Sequence, residues 1–374
     1  MGQSLALEQV IPAAIMERIR RYSASAEQMR QLHPEQVAIL HQEGWLRMMV
    51  PKAYGGLELG FPEVIRLEEA LAWVDGSIGW TVTLCSGANW FIGFLPDETA
   101  KEFFGDSHVC LAGSGAPTGT AQITGNGYII NGRWKYATGS PIATAFTANC
   151  LLEKDGQPIL DANGQQAIRA FVFKQEEVII NDDWSTIGMI ATASNSYEVE
   201  ELEVPETRSF VITPDAARLD GLIFRVPFLP FATATLTANL SGMAIRFLEL
   251  AGQLNEERLA KGQVDEAFGR MVKGSISESN RQITALRKLW YDLIEDYWKF
   301  GNTFGIFQEE LSDLLAISSR GLANSSRHYV DEIYPLLGLA AANTATEINR
   351  VWRNLHTASQ HALFASIQDH DQAQ

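Results

Sequence analysis

Apolar side chains recur along this chain at two different periods, and the period switches twice. Over residues 1–108 the spacing is helical: Ile11, Ile15, Ile19 and Tyr22 fall on one face, and Leu40, Leu46 and Met49 follow around the next helix. PKAYGGLELG, residues 51–60, interrupts the pattern with a proline and paired glycines and reads as a loop. FPEVIRLEEALAWV then sets Val64, Leu67, Leu71 and Val74 in one stripe, so a helix is expected there. Asp75-Gly76-Ser77 ends it, and Ser77 is suited to cap the helix that follows.

From residue 109 to 212 the period becomes that of strands. TGNGYIINGRWKYATG reads as a strand, a tight turn at Asn131-Gly132 and a second strand. ATAFTANCLLEK, QAIRAFVF, EVII and SYEVEELEVP are further short β-rich runs parted by Gly, Pro and Asp, which predicts a compact sheet or barrel. Strands do not alternate with helices here, which disfavours a dinucleotide-binding α/β fold. Over residues 213–374 the helical period returns. Leu236, Leu240, Met243, Phe247, Leu250 and Leu254 form one stripe. Ile276, Ile283, Leu286, Trp290, Leu293 and Tyr297 form a second, and Ile348, Val351, Leu355, Ala358 and Ala362 a third. Such stripes favour near-antiparallel bundle packing. Only the tail, QDHDQAQ, reads as frayed.

Composition narrows the function classes. The net charge of −16 argues against nucleic acid as a partner, since phosphate recognition needs a basic surface. Cys85, Cys110 and Cys150 lack metal-ligand spacing and read as free thiols in a reducing, cytoplasmic setting. The N-terminal segment has charges inside its apolar stretch and no signal-peptide core, and Gly2 with Ser4 does not fit the myristoylation spacing. No long uncharged apolar run suggests a membrane span. His33, His41, His108, His328 and His370 are scattered without metal-ligand spacing, so no metal is expected. Glu68-Glu69 and Glu256-Glu257 are expected to face solvent.

Several segments resemble one superfamily. PKAYGGLELG followed by EEALAWVDGSIGW resembles the P-x-x-Y-G-G … E-x-x-A-x-x-D-x-S-x-x-W stretch of acyl-CoA dehydrogenase-like flavoproteins. YIINGRWKYATG resembles the strand pair that lies against the flavin there. WSTIGMIATASNSYEVEELEVPE resembles the segment closing the β domain, and VWRNLHTASQH the final helix. The resemblance runs in the family's order along nearly the whole chain. It implies an α+β multidomain fold: an N-terminal helical domain (1–108), a flavin-contacting middle β-barrel or sheet domain (109–212) and a C-terminal four-helix bundle (213–374). It also implies a homotetramer, with bundle faces buried between subunits.

Two departures separate this chain from the dehydrogenases. The catalytic Glu eight residues before the final-helix Arg is replaced: counting back from Arg353 reaches Ala345, with Glu347 on another helix face. The arginine that often holds the flavin pyrophosphate is replaced by Asp265, which would repel it. Both fit the two-component flavin monooxygenase branch, whose A-P-x-G-x-A … G-x-W-x-x-x-S/T-G pattern APTGTAQITGNGYIINGRWKYATG resembles, and whose last helix carries Arg and then His, here Arg353 and His361. The resemblance implies a monooxygenase that takes up reduced flavin (FAD or FMN), usually from a separate reductase, and hydroxylates an aromatic or heterocyclic small molecule. One alternative is an FAD-dependent acyl-CoA dehydrogenase, with Glu249 or Glu347 as base and an electron-transfer flavoprotein as partner. Another is a catalytically idle, ligand-binding paralogue.

The family pattern places Thr138 at flavin N5. A hydroxyl suits that atom because it can donate or accept, and in an oxygenase it could hold the proton of flavin-bound oxygen; a threonine satisfied within its own strand is the plain alternative. His361 aligns with Arg350, Asn354 and Thr357 as a polar helical stripe, and an imidazole there can take a phenolic proton or orient activated oxygen. His356 reads as structural. Trp80, Asn89 and Trp90 are expected on the substrate side of the flavin, although Asn89 cannot act as a base. Trp134 and Tyr136 alternate with Lys135, which predicts a shared strand face with one ring on the isoalloxazine; core packing is the alternative. Ser114 in AGSGAPTG is a candidate donor to the flavin carbonyl edge. The isoalloxazine is thus expected against the strand at Tyr136–Thr138, roofed by helices from both flanks of the chain.

Overall fold

The N-terminal third folds into α1 (Ala13–Met29), α2 (Pro34–Gln42), α3 (Phe61–Val74), α4 (Gly76–Asn89) and α5 (Asp97–Phe104) in the computed structural model, which describes residues 6–364. Gly2, Ser4 and the QDHDQAQ tail with His370 lie outside the described residues. Asp75, not Ser77, caps α4: its Oδ1 accepts the Ile78 N–H at 3.0 Å. A carboxylate three residues ahead of that amide is the better-placed acceptor, because Ser77 already lies inside the first turn.

Eight strands form one sheet. They are β1 (Leu111–Ile123), β2 (Gly127–Ala137), β3 (Ala145–Lys154), β4 (Gln157–Pro158), β5 (Ile168–Lys174), β6 (Ile179–Asn181), β7 (Asn195–Pro205) and β8 (Ser209–Phe210). The order is β6-β7-β2-β1-β3-β5-β8, with β4 on β3; the β1–β3 pair is parallel and the others antiparallel. Asn131-Gly132 is not a hairpin turn. Both residues lie inside β2, and the chain reverses just before Gly127. The Asn-Gly pair instead marks a bulge, where Asn131 Oδ1 accepts the Glu201 N–H at 2.7 Å and the register with β7 shifts. Glycine is required at 132 because a Cβ there would come within 2.6 Å of the Gly119 backbone.

The chain closes with α6 (Phe228–Ala260), α7 (Glu266–Phe304), α8 (Glu309–Ile333), the short α9 (Leu339–Ala342) and α10 (Glu347–Ala358). By length and composition α6 could cross a membrane, but 78% of its most apolar 18-residue window is buried inside the protein, and the helix packs on α3, α7, α8 and α10. One apolar core runs from Ile19, Ile65 and Val82 through Phe231 to Trp290 and Leu315, so the N-terminal helices and the bundle stabilise each other. The sheet has its own core around Trp134, Phe146, Phe171, Phe173 and Tyr197.

Glu256 and Glu257 face solvent; Glu68 and Glu69 do not. Glu69 accepts from Arg287 Nε at 2.6 Å, Tyr291 Oη at 2.5 Å and Ser241 Oγ at 2.5 Å, a buried charge with its donors supplied by α6 and α7. Glu68 has a loose contact with the Thr83 hydroxyl and no ordinary hydrogen bond, and burial holds its carboxyl well above the usual range.

Candidate active site

Thr138 directly follows β2, and two left-handed residues flank it: Tyr136 at φ 71° and Gly139 at φ 75°. The twist at Tyr136 breaks the alternation read from the sequence. Trp134 is fully buried and stacks on Tyr197 at 5.3 Å with its Nε1–H on Asn149 O at 2.9 Å, whereas Tyr136 is 67% exposed. The two rings therefore do not share a face. Trp134 is a sheet-core residue, and Tyr136 is the ring available to a ligand.

Behind Tyr136, residues 184–194 fold into a tight loop that stitches itself to 138–140. Gly139 N donates to Thr192 O at 2.8 Å and Ser140 Oγ to Ala193 O at 2.9 Å. The loop has two non-glycine residues in left-handed conformation, Met189 (φ 55°) and Ala193 (φ 43°), each costing about 1–3 kcal/mol. Such strain persists only where the surroundings over-determine it, and here they do. Trp184 Nε1 donates to Met189 O at 2.8 Å, and Asn354 Oδ1 on α10 accepts Met189 N–H at 2.6 Å. Arg353 Nη1 holds Ile187 O at 2.8 Å, and a Cβ on Gly188 would collide with Arg353 O at 2.0 Å. Arg353 is itself paired with Glu27 of α1. The Trp184 ring meets Tyr136 edge-on at 6.1 Å.

Three hydroxyls line up inside this loop. Thr138 Oγ1 lies 2.8 Å from Ser194 Oγ, Ser194 Oγ lies 2.8 Å from Thr192 Oγ1, and Thr192 Oγ1 donates to Met189 O at 2.8 Å. Cys85 Sγ on α4 reaches Thr138 O at 3.5 Å, so α4 backs the end of this strand while α10, much further along the sequence, backs the loop at Met189. Ser114 is half-buried at the edge of the β1 bulge, where the register with β3 shifts between Ser114 and Gly119.

His361 does not continue the α10 stripe, because the helix ends at Ala358 and His361 sits in the turn beyond. Of its proposed companions, Asn354 is committed to Met189 and Thr357 Oγ1 is buried without a partner. The His361 ring meets Trp80 edge-to-face at 6.0 Å, and burial lowers its pKa. Its Nδ1 accepts the Leu363 N–H at 3.3 Å, so the neutral ring carries its proton on Nε2. His356 ties α10 to α8 through Asp331 Oδ1 at 2.7 Å.

Two expected substrate contacts belong to the core instead. Asn89 spends its amide on Leu46 O (2.8 Å), Val109 O (3.3 Å) and the Leu111 N–H (2.9 Å), and is fully buried. Trp90 stacks on Phe231 at 4.7 Å and donates to Ile223 O at 3.1 Å. Trp80, 8% exposed, packs with Met189 and Leu236 beside His361. The two carboxylates considered as dehydrogenase bases share one cation: Arg246 Nε holds Glu347 at 2.8 Å, its Nη1 holds Glu249 at 3.2 Å, and Trp73 Nε1 also donates to Glu249 at 2.9 Å. Asp265 caps α7 by accepting the Phe268 N–H at 2.7 Å.

Trp184, Thr192 and Ser194 were not singled out from sequence. Their signal was the small-hydroxyl pattern in WSTIGMIATAS, which acquires meaning only once β2 is laid beside it. A slot of about 10 Å³ beside Gly139, lined by Gln31, Leu32, Pro141, Ile142, Ala191, Thr192 and Ala193, is far smaller than the roughly 300–1,000 Å³ of ordinary ligand sites. Beside it, Tyr136 is exposed and Trp184 half-buried, an aromatic surface of the chemistry a flavin ring would stack on, with Thr138, 3% exposed, beneath it. The larger groove between α7 and α8 shares no residue with this loop.

Comparison with known proteins agrees with this architecture. Residues 4–104 match the family model "Acyl-CoA dehydrogenase, N-terminal domain" and residues 234–366 match "Acyl-CoA dehydrogenase, C-terminal domain". The chain is 27% identical to indole-3-acetate monooxygenase of Pseudomonas putida, over 95% of this chain and 90% of that protein. It is 24% identical to the flavin-dependent monooxygenase oxygenase subunit HsaA of Rhodococcus jostii, over 93% and 92%. The crystal structure of 3-HSA hydroxylase from Rhodococcus sp. RHA1 superimposes with a TM-score of 0.85 at 22% identity, over 96% of this chain and 93% of that one.

Proposed function

The chain belongs to the acyl-CoA dehydrogenase family of flavoproteins, and from that premise we propose that it is the oxygenase component of a two-component flavin-dependent monooxygenase acting on an aromatic or heterocyclic small molecule. It is an oxidoreductase and its cofactor is a flavin. Reduced flavin, when bound, supplies the two electrons that let one atom of O₂ enter the substrate while the other leaves as water.

The observation that carries the oxygenase reading is the disposition of the acids and hydroxyls. Glu249 and Glu347 are both held on Arg246, so neither is free to abstract a substrate proton. Beneath the exposed Tyr136 ring lies instead the buried Thr138, bonded to Ser194, and beside Trp80 a neutral histidine. In this reading Tyr136 and Ser114 contact the flavin, Thr138 addresses N5, Trp80 borders the substrate, and His361 offers its Nε2–H as the orienting donor. Because the aromatic face is open on one side, a second copy of the chain supplies the other wall, in a homotetramer. A separate flavin reductase delivers the reduced cofactor, and the enzyme works in the cytoplasm.

The test begins with anaerobic loading of the flavin. Protein loaded with reduced FMN or FAD is mixed with oxygen and a panel of phenols and indoles; hydroxylated product with oxygen uptake is expected. Flavin reduction by an acyl-CoA, without need of oxygen, would refute the oxygenase reading, and lack of flavin affinity in both redox states would leave only an idle paralogue.

A further inference from the structure

Trp80, Leu84 and Gly87 follow one another at spacings of four and three, so they share one face of α4. The rest of that helix is enclosed. Twelve of its fourteen residues are buried, and the two that are not are Leu84 and Gly87. α4 thus has a single window, on the Trp80 side. Leu84 packs against the same apolar cluster as Trp80, which also takes in Met189, Leu236, Trp184 and Leu363. His361, whose ring meets Trp80, stands at the Trp80 end of this face.

Glycine at 87 has no explanation inside the chain. Gly76 and Gly79 of the same helix are required by packing: a Cβ would come within 2.6 Å of Met243 Sδ at the first and 2.5 Å of the Ala72 backbone at the second. A Cβ on Gly87 would meet nothing within 4 Å. Alanine is the better helix former wherever it fits, so this glycine gives up helix stability with no neighbour to accommodate. Bare helix backbone facing open space suits the close approach of a flat molecule.

The window is also without charge. α4 contains no Asp, Glu, Lys, Arg or His. Asp75, just ahead of it, is spent on the Ile78 N–H. Arg353 on α10 is paired with Glu27, His356 turns to Asp331 on α8, and Arg30 is engaged with the Trp184 carbonyl. Burial alone moves the His361 pKa, so no charged side chain among the described residues stands close enough to shift it. A carboxylate entering here would leave water without gaining a counter-charge. A neutral ring gains apolar contact and one donor, the His361 Nε2–H.

We propose that this window seats the substrate: a flat, uncharged aromatic molecule lies along α4 across Leu84 with one edge on the Gly87 backbone, and these two residues set a preference for neutral rings over aromatic acids. The inference rests on the oxygenase reading above and deepens it by narrowing the substrate class.

The test titrates the full chain, loaded anaerobically with reduced FMN or FAD, with matched probes in a calorimeter: indole against indole-3-acetate, and phenol against 4-hydroxyphenylacetate. The neutral member of each pair should bind about ten- to a hundredfold more tightly, the scale of a polar group buried without a partner. Gly87→Ala should keep reduced-flavin affinity and should not lower the melting temperature, yet should weaken indole about tenfold, the scale of one methyl group too many in a packed contact. A merely structural glycine would leave indole affinity unmoved. Leu84→Lys, whose stem can lie in the half-buried position with its ammonium outward, should shift the neutral-to-acid ratio at least about tenfold towards the acids. Leu84→Met should keep the ratio. Equal or tighter binding of the acids by wild type, binding of neither probe, indole affinity unmoved in Gly87→Ala, or a ratio unmoved in folded Leu84→Lys would each overturn the seat while leaving reduced-flavin binding intact. Absence of reduced-flavin binding would instead overturn the flavin reading.

Discussion

Asn354 and Met189 are 165 residues apart in sequence, and their hydrogen bond, 2.6 Å from the Met189 N–H to Asn354 Oδ1, fastens the last helix to the loop under the candidate flavin face. Asn354 is 2% exposed and Met189 is held in a left-handed conformation. Replacing Asn354 by Ala leaves a buried N–H without its partner, which costs about 1–3 kcal/mol. Asn354→Ala should therefore lower the melting temperature and weaken reduced-flavin binding together. A lower melting temperature with unchanged flavin affinity would separate the tether from the site.

Tyr136 is expected to lie on the flavin with its ring rather than its hydroxyl. Tyr136→Phe should keep flavin affinity, and Tyr136→Ala should lose about three- to tenfold, the contribution of one aromatic contact. Because the side chain is 67% exposed, neither change should move the melting temperature appreciably. Titration of flavin fluorescence with the two variants checks both.

His361 should work as a neutral donor. Burial depresses its folded-state pKa below the ordinary 6.5. A depressed value means that the neutral form is complete above the ordinary pKa and is lost as pH falls through the folded one, so the stability it confers follows the same course. Product formed per O₂ consumed should be flat from pH 7 to 8 and fall only on the acid side of 6.5, and His361→Ala should abolish that limb along with most of the coupling. Full coupling in His361→Ala would remove the residue from the mechanism.

Glu68 has the opposite sign. Its folded-state pKa is raised by burial, so the unfolded chain holds fewer protons than the folded one above the ordinary value of 4.5. Stability is therefore complete below that value and drains as pH rises towards the folded pKa. Glu68→Gln removes the titration and should raise the melting temperature at pH 8 by roughly 2–4 °C relative to wild type, with a smaller difference at pH 5. Equal differences at the two pH values would count against a buried neutral acid.

Glu249→Gln and Glu347→Gln separate the two chemistries considered for this family. Their side chains are 38% and 32% exposed, so loss of either ion pair to Arg246 should cost less than about 1 kcal/mol. Hydroxylation should persist in both variants. Its loss in either, with flavin binding retained, would return that carboxylate to the mechanism.

The sequence alone determined the order of the architecture, because periodicity is a local property: helical stripes such as Leu236 to Leu254 and alternating runs such as SYEVEELEVP declare themselves without knowledge of their partners. The Y-A-T-G pattern also singled out Thr138 as a candidate. What it misread depended on who lies opposite. Asn131-Gly132 has the composition of a turn, yet β7 arrives alongside and makes it a bulge. Glu68 and Glu69 look like surface charges until α6 and α7 pack over them, and Asn89 looks like a ligand contact until Leu46 and Leu111 claim its amide. Trp134 and Tyr136 part company because one left-handed residue undoes strand alternation. Only the tertiary structure could bring the hydroxyls of Thr138, Ser194 and Thr192 into one line ending on the Met189 carbonyl, since no spacing around Thr138 reveals a loop more than fifty residues further on.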